Sequence, residues 1–136
     1  MGNSIEFHDS TLSSVTQEGE SVRIALDAYV HRWARVDGTW KGTGWVQPVQ
    51  INVVGAAKVT VPKLPVALHG GSVAVGRAMH ENVVPLPFAS AGPVSLRLDL
   101  VTGVSLEVSG QHVSIEPIGN GRYIEDLPDD LRPGAG

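Results

Sequence analysis

The residues best suited to chemistry lie first along Val22 to Arg32, where the even positions are apolar (Val22, Ile24, Leu26, Ala28, Val30) and the odd ones carry Arg23, Asp27, Tyr29 and His31. Trp33 continues the odd series. Successive side chains of an extended chain point to opposite faces, so Asp27, Tyr29, His31 and Trp33 are expected in one row on the wet face of a strand. An acid, a phenol, an imidazole and an indole in a row can bind a polar ligand. They can also serve acid–base chemistry, because imidazole titrates near neutral pH and a carboxylate can orient it. Alternation alone accounts for such a row too, since any solvated strand face must carry polar groups.

All three tryptophans fall between Trp33 and Trp45, beside Gly38, Gly42 and Gly44, in what reads as an exposed loop. Exposed aromatics make efficient contact surfaces, burying large areas at small entropic cost. The plainer account has Trp33 and Trp45 facing each other across the base of a hairpin, with Trp40 alone outside. On either account Trp40, flanked by glycines, is expected to be the most exposed of the three and the centre of any recognition. The candidate binding residues are therefore Trp40, Trp33, Trp45, Asp27, Tyr29 and His31.

The segment Glu6-Phe7-His8-Asp9-Ser10 holds the residue types of a triad. Neighbours on an extended strand diverge, so a local Asx or Ser turn between two strands is the expected role. The opening Phe7-His8-Asp9-Ser10-x-Leu12, with the late acidic stretch Tyr123-Ile124-Glu125-Asp126-Leu127, resembles that of small bacterial all-β proteins, some of them similar to toxin-immunity proteins. The resemblance covers about a dozen residues at either end of the chain. It implies a bacterial origin and brings no active site with it.

Metal binding by His8, His31, His69, His80 or Glu81 lacks any His-x-His or His-x-x-x-His spacing. No metal site and no cofactor is expected, short of a convergence in space. Gly70-Gly71-Ser72-Val73-Ala74-Val75-Gly76 falls short of a nucleophile elbow at Ala74 and reads as a strand entered by a glycine turn. Glu125, Asp126, Asp129 and Asp130 read as a solvated acidic end.

The elements that must position these residues are strands. Alternation recurs at Val94 to Leu100, Val104 to Val108 and Val113 to Ile115, with turns expected at Thr102-Gly103 and Ser109-Gly110, which together suggest a three-stranded meander. Ile5 to His8, Leu12 to Gln17, Val49 to Val54, Lys58 to Val61 and Ser72 to Val75 are further candidates, with turns also at Gly19 and Asn120-Gly121. The count is eight or nine short strands, and a helical turn is expected only near Leu127 to Leu131. The expected fold is all-β, an antiparallel β-sandwich, with a small β-barrel as the alternative. One domain should span residues 1–127, followed by a Pro-, Gly- and Asp-rich tail over 128–136 that should fray.

At 136 residues and 42% hydrophobic composition the chain can close one core, and with no cysteine it has neither disulfides nor thiolate chemistry. A net charge of −4 with scattered basic residues argues against nucleic acid. No apolar run is long enough to span a membrane, and no signal sequence is evident, so a cytoplasmic location is expected. With no complete catalytic constellation, the first reading is a non-enzymatic binding or protein-interaction module for an unidentified protein or a small polar ligand. An inhibitory role against a basic partner would suit the acidic balance. The alternatives are a small hydrolase or isomerase using His31 with Asp27 or Tyr29, and a structural subunit forming a homo-oligomer through a sheet edge.

Overall fold

The computed structural model describes residues 2–131, which form nine antiparallel strands. These are β1 (Gly2–Glu18), β2 (Ser21–Val36), β3 (Thr39–Val54), β4 (Val66–Val75), β5 (Ala78–Glu81), β6 (Val83–Leu86), β7 (Phe88–Leu100), β8 (Ser105–Pro117) and β9 (Arg122–Leu127). Among the described residues there is no α-helix, and Asp129–Leu131 make a single 3₁₀ turn where a helical turn was expected. Residues 132–136 of the expected tail lie outside the described residues. No helix among the described residues is long and apolar enough to cross a membrane.

The sheet closes on itself. Pairings run β1-β2-β3-β8-β7-β4, and β4 returns to β1 through Thr11 with Ala67 and Leu12 with Val66. This last pairing makes a six-stranded barrel, the alternative expected from the sequence, in place of the sandwich. Ile24, Leu26, Ile51, Leu96, Leu98 and Ile115 fill its interior and are fully buried.

Several strands are longer than their sequence signals. The stretch read as a tryptophan loop is the distal half of a hairpin: β2 and β3 pair over sixteen consecutive residues, from Ser21 with Val54 to Val36 with Thr39. Only Asp37 and Gly38 turn, both at positive φ (52° and 77°), the pattern of the tight turn that matches strand twist. The expected meander is likewise a hairpin of β7 and β8, with Ser109 and Gly110 inside β8, opposite Ser95 and Val94. Gly110 allows close packing there, because a Cβ would fall 2.6 Å from Val53 Cγ1 and 2.7 Å from the Val54 carbonyl oxygen. The strand expected at Lys58 to Val61 does not form. Gln17 takes over its backbone pairing, donating from Nε2 to the Ala57 carbonyl (3.1 Å) and accepting from the Val59 N–H (3.0 Å).

Beyond the barrel, the ends of β1, β2 and β3 continue as a flared sheet. β6 adds along Asn3 to Glu6 of β1 and β9 along Gly42 to Val46 of β3, giving the order β9-β3-β2-β1-β6. This extension carries the candidate site.

Candidate functional site

Two features of the backbone build the site. The first is the regularity of β2, which keeps Asp27, Tyr29, His31 and Trp33 on the side opposite Val22, Ile24, Leu26, Ala28 and Val30. The second is a bulge in β1. Pairing with β2 runs to Glu6 opposite Tyr29 and resumes at Thr11 opposite Asp27. In between, Asp9 adopts φ 75°, a left-handed conformation that Asp tolerates better than most residues. Phe7 and Ser10 turn inward while His8 and Asp9 both stay exposed. Glu6, His8 and Asp9 therefore converge, which strict alternation would forbid.

Ser10 is the keystone of this bulge rather than a nucleophile. It is 1% exposed, donates from Oγ to the Glu6 carbonyl (2.6 Å) and accepts from the Tyr29 N–H (2.9 Å). Those two bonds replace the ladder that the bulge interrupts, so the strand continues where a turn was expected. The other side is held by Asn82, between β5 and β6. The Phe7 N–H donates to its carbonyl (2.8 Å) and the His8 N–H to its Oδ1 (2.8 Å).

Glu6 then meets the β2 row. Its Oε2 lies 3.0 Å from His31 Nε2, and its Oε1 faces His8 Nδ1 at 3.7 Å. His31 is thus oriented by Glu6. Asp27, the partner expected from sequence, instead lies beside Ser13, 3.4 Å from its Oγ. The Tyr29 ring stands edge-on to His31 with centroids 5.3 Å apart, and its hydroxyl donates to Glu125 Oε2 on β9 (2.9 Å). Partial burial, then the hydrogen bond to Glu125, raise the Tyr29 hydroxyl well above the ordinary phenol value. Tyr29 is a neutral donor, not a base.

Two glycines open space for this arrangement. A Cβ on Gly44 would overlap the Tyr29 hydroxyl, and one on Gly42 would overlap the Trp33 ring. The rings can therefore cross from β2 over β3, and Tyr29 reaches Glu125. Trp33 is 4% exposed, and its Nε1 has no hydrogen-bond partner.

The tryptophans do not face one another. Trp33 pairs with Gly42 and Trp45 with Val30, so at period two they occupy opposite faces. Trp45 packs toward the core, with the Arg32 guanidinium 4.0 Å above its ring and Tyr123 edge-on at 5.7 Å. Trp40, opposite Arg35, is on the Trp33 side and is half-buried, as is Trp45.

The structure thus joins Tyr29 and His31 to Glu6 and Glu125, which sequence reasoning had not put among the site residues. It separates Trp45 from the other face and leaves Asp27 and Trp40 toward the two ends of the row. No protein-family model, curated protein or solved structure matches this chain.

Proposed function

We propose that this protein is a non-enzymatic binding module whose recognition surface is the outer face of the flared sheet, and that it takes a basic segment of a partner protein. The observation that carries this reading is the placement of Glu6, on the neighbouring β1, and Glu125, on β9 beyond β3, on either side of Tyr29 and His31. Each carboxylate has one oxygen engaged by the β2 row, and carboxylates keep further lone pairs for a guanidinium or ammonium group. Between them the half-buried Tyr29 ring offers cation–π contact to the same groups, while His31 and Trp33 are buried. An inhibitory, immunity-type role in a bacterial cytoplasm belongs to this proposal and agrees with the net charge of −4.

The hydrolase or isomerase reading is less well supported. Ser10 is committed to the backbone, His31 is 8% exposed, and Tyr29 is held protonated.

A fluorescently labelled arginine-rich peptide titrated with the protein at low salt tests the reading. Glu125 is exposed, so Glu125→Gln should leave the fold intact and weaken binding about fivefold, the effect of one favourable charge pair. Equal binding by wild type and variant would contradict the proposal.

A further inference from the structure

We propose that Glu6, His8 and Asp9 are the protein ligands of a divalent transition-metal ion, with Zn²⁺ as the representative case. The inference shares Glu6 with the basic-partner reading, whereas His8 and Asp9 play no part in that reading.

One oxygen or nitrogen from each side chain lies within 4.8 Å of the others. His8 Nδ1 is 3.7 Å from Glu6 Oε1 and 3.4 Å from Asp9 Oδ1. Both separations exceed the ~2.7–3.2 Å of an N–H···O hydrogen bond and lie within ion-pair range. They match another geometry. Two bonds of about 2.1 Å at a tetrahedral angle put the donor atoms about 3.4 Å apart, so an ion of zinc size fits among the three atoms.

The supporting shell is also that of a ligand set. The second oxygen of Glu6 is held by the largely buried His31, which fixes the direction of Oε1. Asn82 anchors the backbone on one side of the bulge and Ser10 on the other. Two carboxylates and one imidazole supply N and O donors suited to zinc or nickel, with a formal charge that balances a divalent cation. Three protein ligands leave a fourth position open. The ring of His69 lies edge-on to His8 with centroids 6.1 Å apart. Asp9 holds a left-handed backbone, which glycine would adopt at lower cost.

The test is calorimetric titration of chelator-stripped, full-length protein with ZnCl₂, beside its melting midpoint with and without Zn²⁺. Wild type should take up one equivalent and melt at a temperature that rises with free Zn²⁺. His8→Ala and Asp9→Gly should each weaken binding at least about tenfold, since even second-shell losses cost that much. Both side chains are exposed, so the metal-free variants should fold. Asp9→Gly should melt no lower than the wild type without metal, which separates loss of a ligand from loss of the fold. Glu125→Gln should bind Zn²⁺ as wild type does even if it loses the basic peptide. Absence of a one-to-one complex, or binding unchanged in both His8→Ala and Asp9→Gly, would overturn the assignment.

Discussion

The two edges of β2 make an instructive contrast. Along one, β3 pairs with it for sixteen residues without a break; along the other, β1 pairs with it in three runs separated by two register shifts. The unbroken edge yields what alternation promises, a row of side chains on one face. The broken edge yields what alternation cannot, outward side chains close together in sequence and in space. Glu6, His8 and Asp9 gather because the strand slips there, and Ser10 and Asn82 make the slip affordable to the backbone. The regular strand supplies a surface, and the irregular one supplies a point of dense chemistry on it.

The regular edge is broken most severely by removing what lies flat on it. Trp33→Ala should destabilise the protein by about 3 kcal/mol, the lower end for emptying a buried tryptophan site. Urea melts measure this. Trp40→Ala should cost much less, because Trp40 is half-buried near the hairpin turn. Equal losses would mean that the distal hairpin packs as one unit.

Filling the space beneath the rings comes next. Gly42→Val should cost about 2 kcal/mol through overpacking, because its side chain needs the volume that Trp33 occupies. A thermal midpoint within a degree of wild type would show that Trp33 can lie elsewhere.

The irregular edge is tested by Ser10→Ala, which leaves the part-buried Tyr29 N–H without its acceptor and should cost about 1–2 kcal/mol. Amide exchange at Tyr29 should accelerate with it. Unchanged protection there would deny Ser10 its role as keystone.

The smallest effect sharpens the link between the β2 row and β9. Tyr29 has its folded pKa raised above an unfolded value of about 10. Its contribution to stability is therefore fully present below about pH 10 and lost as pH rises above it. Tyr29→Phe should cost below about 1 kcal/mol at neutral pH and should lose less stability than wild type between pH 9 and 11, roughly the window around a free phenol. Parallel alkaline curves for the two proteins would contradict the Tyr29–Glu125 contact.

Much of this was legible in the residues. The shared face of Asp27, Tyr29, His31 and Trp33 follows directly from Val22 to Val30, although His31 and Trp33 are buried where a wet row was expected, and the turns at Gly19 and Gly103 occur as glycines at positive φ (58° and 93°). Even the slips of β1 leave a trace. Phe7 points inward at an odd position, Leu12 at an even one and Val15 at an odd one again, and each change of parity coincides with a register shift. Reading that segment as two strands with a turn between them accounted for the same break in the wrong way. Barrel closure was not legible, because it rests on two residue pairs between β1 and β4 that carry no local signal. Nor was Glu125, which lies 96 residues from Tyr29 and reaches it only because β9 returns along β3. Glycine misled at 42, 44 and 110, where it suggested loop or turn and serves close packing within strands.

Partner binding at the outer face of the flared sheet, as proposed, can be tested directly. Its most direct test is an amide ¹H–¹⁵N titration of the labelled protein with an arginine-rich peptide at moderate salt. Saturable shifts are expected, concentrated at Glu6, Tyr29, His31, Gly44 and Glu125 and reduced in Glu125→Gln. Shifts centred on the far side of the barrel, around Gly76, Ser95 and Gln111, or no saturable shifts at all, would contradict it.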